Sequence, residues 1–256
     1  MEMEELFRSV IDRQGVSDLH LTVKSKPIIR YNGNLQIYQE YPRELEMEDL
    51  EEMTKKMLSD DLYDQFMEKG EIDFSYSVPG VSRFRVNIYR QRGSIGIAMR
   101  VIPQEIPTVD ELGYPNTLKK LALMRMGLVL CTGPTGSGKS TTLAAMINEI
   151  NEKKAKHVLT LEDPIEYLHS HRNCIVHQRE VGVDTKNFAN GLRAALREDP
   201  DVILVGEMRD LETISIALEA AETGHLVLAT LHTNSAPATI DRIIDVFPPH
   251  QQEQVR

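Results

Sequence analysis

The chain has 256 residues, 41% hydrophobic and 27% charged, with 15 glycines and 12 prolines, a balance that excludes disordered, collagen-like and low-complexity classes. Its length suits one large or two medium domains. Lysine and arginine total 29 against 39 aspartates and glutamates, and the resulting charge of -10 argues against broad capture of nucleic acid or anionic lipid.

Apolar Leu6, Phe7, Val10 and Ile11 recur at helical spacing and predict a helix over 3–14. Leu19, Leu21 and Val23 then alternate as a strand does. Segments 28–31 and 35–38 flank Asn32-Gly33, a pair that tolerates positive φ at both residues and so predicts a two-residue hairpin turn. Leu50, Met53, Met57 and Leu58 mark a second helix, and a shorter one over 60–68 stops at Gly70. Segments 74–78, 83–89 and 95–101, with turns at Pro79-Gly80 and Gly93-Ser94, read as a three-strand antiparallel meander. These elements make residues 1–102 an α+β domain. Pro103, Pro107 and Pro115 punctuate a stretch of neither period, which places a linker over 103–115.

The remainder, 116–256, alternates apolar strand and helix: 128–131, 140–151, 157–161, 188–197, 202–205, 213–222 and 226–231. Such alternation specifies an α/β fold whose mostly parallel sheet is covered on both faces, with ligands beyond the carboxyl ends of its strands. No apolar run approaches the length of a membrane span, so no transmembrane segment is expected. Met1-Glu2-Met3-Glu4-Glu5 lacks the basic-then-apolar order of a signal peptide, which points to the cytoplasm. Cys131 and Cys174 lie in apolar stretches and are expected as buried thiols, too few for a four-cysteine zinc site.

Gly133-Pro134-Thr135-Gly136-Ser137-Gly138-Lys139-Ser140-Thr141 fits the phosphate-binding loop and lies between a predicted strand and helix. Its glycines let consecutive N–H groups turn toward phosphate oxygens, Lys139 reaches the outer phosphates and the Ser140 hydroxyl suits Mg2+, so ATP and Mg2+ are the expected ligands. The next strand runs into Glu162, Asp163 and Glu166, three carboxylates near the expected γ-phosphate. One could orient or deprotonate water, but spacing does not choose among them. A third strand runs into Gly206-Glu207, an apolar run plus acid suited to Mg2+ support, with Gly206 where an aspartate is usual. His225 and His232 bracket a strand without the spacing of a helical metal pair. Arg83 and Arg85 alternate with Phe84 and Val86 and so share one strand face.

Segments 133–142, 161–166, 197–210 and 222–233 resemble four signature boxes of the secretion and type IV pilus ATPases, and the likeness is strongest to the branch that retracts pili. The resemblance runs from Ser17-Asp18-Leu19-His20 to Val255-Arg256. It implies a PAS-like N-terminal domain, a RecA-like ATPase domain and a homohexamer that hydrolyses ATP at subunit boundaries and depolymerises the pilus against an inner-membrane platform protein. By the same resemblance Glu166 is the catalytic glutamate, Glu207 the atypical Walker B acid, and His225 with His232 the histidine box. Arg83, Arg85 and Arg100 are the arginines set against nucleotide. The resemblance also implies a helical C-terminal region following Arg256. Neighbouring expectations are a pilus-assembly or secretion motor, and, from another class, a slow nucleotide-gated subunit of a mixed ring.

Overall fold

A computed structural model describes residues 3–103 and 105–255. Met1, Glu2, Gln104 and Arg256, which fall in the expected N-terminal segment, linker and chain end, lie outside the described residues. The chain divides into two compact units, 1–104 and 105–256.

The first unit opens with α1 (Met3–Ile11), β1 (Val16–Leu21), β2 (Ile28–Tyr31) and β3 (Asn34–Ile37). It continues through α2 (Met47–Met57), α3 (Asp60–Lys69), β4 (Glu71–Val78), β5 (Ser82–Gln91) and β6 (Ser94–Ile102). Its strands form one antiparallel sheet in the order β3-β2-β1-β6-β5-β4. Asn32 and Gly33 both take positive φ, and Tyr31 pairs with Asn34, so the expected two-residue turn forms. Gly70 ends α3 in the left-handed region, as expected. The β5–β6 turn is Arg92-Gly93 rather than Gly93-Ser94. The pairing of Gln91 with Ser94 leaves only those two residues to carry the positive φ that the turn needs. The first helix is shorter than its apolar spacing suggests, and Val23 falls past the end of β1. One face of the sheet packs Leu19, Ile29, Phe84, Val86 and Ile97 against Phe7 of α1, Leu50 of α2 and Phe66 of α3. Each such fully buried side chain contributes about 1.5–3 kcal/mol.

The second unit carries α4 (Asn116–Ala122), β7 (Gly127–Thr132), α5 (Lys139–Lys153), β8 (His157–Glu162), β9 (Ile175–Glu180) and α6 (Phe188–Ala195). It ends with β10 (Val202–Val205), α7 (Leu211–Glu222), β11 (Leu226–Leu231), α8 (Ala236–Asp245) and α9 (Gln252–Val255). Its sheet is parallel throughout, in the order β7-β11-β10-β8-β9. Successive residues of each strand enter different cores. Ile203, Val205, Val227 and Ala229 meet α6 and α7, whereas Val202, Leu204, Leu226 and Leu228 meet α5. That double burial is why the strands read as unbroken apolar runs. Strand β9 was not expected, because an edge strand keeps exposed Ile175 and His177 among its residues and shows no apolar run. Among the described residues no helix is long and apolar enough to cross a membrane.

Candidate functional site

The phosphate-binding loop leaves the carboxyl end of β7 and turns into α5. Gly133 has φ 152°, and a Cβ on it would lie 2.6 Å from the Ser137 hydroxyl oxygen, so the first turn tolerates no side chain there. Gly138 caps α5 with φ 90°, which aims the free N–H groups of the helix start into the loop. The Lys139 ammonium folds inside the loop and donates to the carbonyls of Gly133 at 2.9 Å and Pro134 at 3.0 Å. Pro134, Thr135, Gly136, Ser137 and Ser140 are exposed around it. A helix start, inward N–H groups and a lysine give concentrated positive potential, which suits a polyphosphate.

Two side chains brace the start of α5. Thr141 hydrogen-bonds the Tyr167 hydroxyl at 3.0 Å, and Thr142 hydrogen-bonds the Tyr114 hydroxyl at 3.1 Å. Tyr114 belongs to the proline-punctuated stretch expected as linker, so that stretch is tied to the phosphate-loop helix from within the second unit.

Beyond β8 the three expected carboxylates take different situations. Glu162 turns inward, where desolvation pushes its carboxyl above the usual carboxylate range, although the hydroxyl of Thr160, the amide of Gln178 and the N–H of Glu166 donate to it. It thereby holds the backbone on which Glu166 sits. Buried Glu180, at the end of β9, accepts the N–H of Ile165 and fixes the same turn, which contains a cis Asp163–Pro164 bond. Glu166 is half-buried beside Tyr167, and Tyr167 touches the phosphate-loop helix. Asp163 is exposed.

Beyond β10, Gly206 donates its N–H to Leu161 at 2.7 Å, and Met208 donates to the Thr230 carbonyl at 3.1 Å, so both neighbouring strands grip the loop that presents Glu207. The Glu207 carboxylate pairs with the Arg209 guanidinium at 2.6 Å and with His232 Nε2 at 3.3 Å. Arg209, beside it, holds the Glu207 carboxyl below the usual range, and His232 and Lys139 add to that pull. Arg209 was not singled out by sequence reasoning, though it stood two places past Glu207 at the strand end.

His232 follows β11 at the same end of the sheet, whereas His225 precedes it. The strand between them places the two about 23 Å apart. His225 caps the α7–β11 turn instead, with Nδ1 at 2.9 Å from the Ala220 carbonyl, so of the two residues of the expected histidine box only His232 lies at the carboxyl ends of the strands, beside Glu207. Cys174 is buried as expected, but Cys131 is half-buried because edge strand β7 is only partly covered.

Arg83, Arg85 and Arg100 belong to the first unit. Arg85 stands opposite Arg100 across the β5–β6 pair, and Arg83 lies two residues along β5, so all three share the sheet face away from the core. Arg100 pairs with Asp18 at 3.0 Å.

Residues 3–250 match the family model described as Type II/IV secretion system protein. A Pseudomonas aeruginosa relative named "Type IV pilus retractation ATPase PilT" is 52% identical over 95% of this chain and 70% of its own length. A Neisseria gonorrhoeae relative named "Twitching motility protein" is 49% identical over 90% of this chain and 61% of its own. A crystal structure of the pilus retraction motor PilT with bound ADP superposes with a TM-score of 0.94 at 51% identity, covering 100% of this chain and 74% of that one.

Proposed function

This chain belongs to the type II/IV secretion system protein family, and we propose that within it the protein is an ATP-hydrolysing motor that powers type IV pilus retraction. The observation that carries the reading is the convergence of the Lys139 loop with the Glu207–Arg209–His232 cluster at the carboxyl ends of one parallel sheet. The relatives' names supply the direction of work.

In this reading Lys139 and the loop N–H groups bind the ground-state phosphates of ATP, and Glu166 orients and deprotonates the attacking water. Glu207 takes its orientation from Arg209 and His232. Exposed Ser140 and ionised Glu207 offer the hard oxygens that Mg2+ takes, directly or through water, so the residues present fit the ion. Bound there, Mg2+ would neutralise charge building on the phosphate oxygens. The protein works as a homohexamer on the cytoplasmic face of the inner membrane, against a platform protein. An arginine among Arg83, Arg85 and Arg100 completes the nucleotide site of a neighbouring subunit. The functional division then follows the two units, 1–104 and 105–256, with the proline-punctuated stretch belonging to the ATPase unit through Tyr114.

ATP hydrolysis by the purified full-length protein, measured against Mg2+ and protein concentration, tests the chemistry; specific activity that rises with concentration and needs Mg2+ is expected. Restoration of twitching in a retraction-deficient strain tests the direction. Restored piliation without retraction would assign the motor to assembly, and absence of hydrolysis under all conditions would remove the motor reading.

A further inference from the structure

At the end of the second sheet away from the phosphate loop, the close of α4, the close of α5 and the start of β10 surround a cavity of about 150 Å³. Its floor is apolar, with Ile150 and Val202, and exposed Met124 stands at its rim. Three cations line it: Arg125, Lys154 and Lys156. The only carboxylate among the lining residues, Asp201, is engaged with Lys156 at 2.6 Å. Arg125 and Lys154 have no ion-pair partner among the described residues, although nearby Lys153 is paired with Glu149 and Lys119 with Asp110. Unpaired positive charge therefore gathers around an apolar hole in a chain whose net charge is -10.

A cation at the end of α5 alone would be ordinary complementarity to the helix dipole. Arg125 comes from a different segment, just before β7, and the apolar floor lies between the two. The cavity is smaller than a typical small-molecule site and suits a single aliphatic or aromatic side chain. Such an anchor ringed by opposite charge is how interfaces combine affinity with orientation.

We propose that this cavity is a docking pocket for an acidic segment of a partner protein, which inserts one apolar side chain and sets carboxylates against Arg125 and Lys154. The pocket's walls are the far ends of the two elements that carry the nucleotide site. Lys154 follows α5, which begins at Lys139 about 22 Å away, and Val202 begins β10, which leads to Glu207. A seated partner thus bears on both elements from behind.

The test uses the full chain, a short labelled peptide with one leucine among glutamates, and fluorescence anisotropy. Saturable binding is expected, weakened about tenfold or more by the double variant Arg125→Glu/Lys154→Glu, by replacing the peptide leucine with serine, and by raised salt. Binding of an ATP analogue by the variant should stay unchanged, which shows the fold intact. Absence of saturable peptide binding, or equal binding by parent and variant, overturns the proposal. So does an outcome in which vesicles of phosphatidylglycerol bind the parent and not the variant while the peptide binds neither, since that makes the patch a membrane contact.

Discussion

Gly206 sits where phosphate-loop enzymes usually place an aspartate, and the structure supplies a reason that can be tested by Gly206→Ala. Its backbone is in an ordinary conformation, so alanine costs nothing in φ; the cost is contact. A Cβ would lie 3.0 Å from the Leu161 carbonyl oxygen and 3.2 Å from the Glu162 Cα, both backbone atoms that cannot rotate away. Forced overpacking costs about 1–3 kcal/mol, while alanine's stiffer unfolded chain returns about 0.4–1 kcal/mol, leaving a net loss of about 1–2 kcal/mol. For a chain of this size that lowers the thermal midpoint by about 2–8 °C. The displaced strands are those carrying Glu162 and Glu207, so hydrolysis should fall by more than nucleotide binding. Thermal unfolding and ATPase turnover, measured side by side, decide the matter. An alanine variant with the parent's midpoint and turnover would show that the close approach does not keep this position glycine, and the absence of an aspartate there would need another explanation.

Lys139→Ala should abolish binding of a labelled ATP analogue, while Glu166→Gln should keep binding and lose hydrolysis; a Glu166→Gln protein that binds nothing would break this division of roles. Arg209→Met should make the protein less stable near neutral pH, and the gap to the parent should close on acidification. Glu207 has a lowered folded-state pKa, so its pairing stabilises the protein above the pH where an unfolded glutamate titrates, about 4.3, and that contribution fades as pH falls through the lower folded value. Thermal midpoints compared between neutral pH and pH 3 check this, and a constant gap would refute it. Mixing an arginine variant, Arg83→Ala, Arg85→Ala or Arg100→Ala, with Glu166→Gln protein should restore activity lost by each alone; mixed rings with no recovery at any ratio would place the arginine within its own subunit.

Much of the fold is written locally. Asn32-Gly33 and Gly70 specify their turns because each requirement, positive φ, is met by the residue itself. The phosphate loop is legible for the same reason: its shape comes from neighbouring residues, and Lys139 bonds carbonyls only five and six places back. The apolar runs at 202–205 and 226–231 announce a sheet buried on both faces, because each successive residue has a core to enter. Other features depend on distant partners and left no local trace. Strand β9 is held by pairing with β8 and reads as polar because it lies at the sheet edge. Glu162 and Glu166 look equivalent in sequence, and Gln178, sixteen places along the chain, is the distant partner that helps turn the first inward. His232 joins Glu207 only because β10 and β11 lie side by side. Residue type and short-range spacing thus determined the elements and the phosphate loop, whereas the cross-strand partners, Gln178 for Glu162 and His232 for Glu207, were decided by which strands the tertiary structure made neighbours.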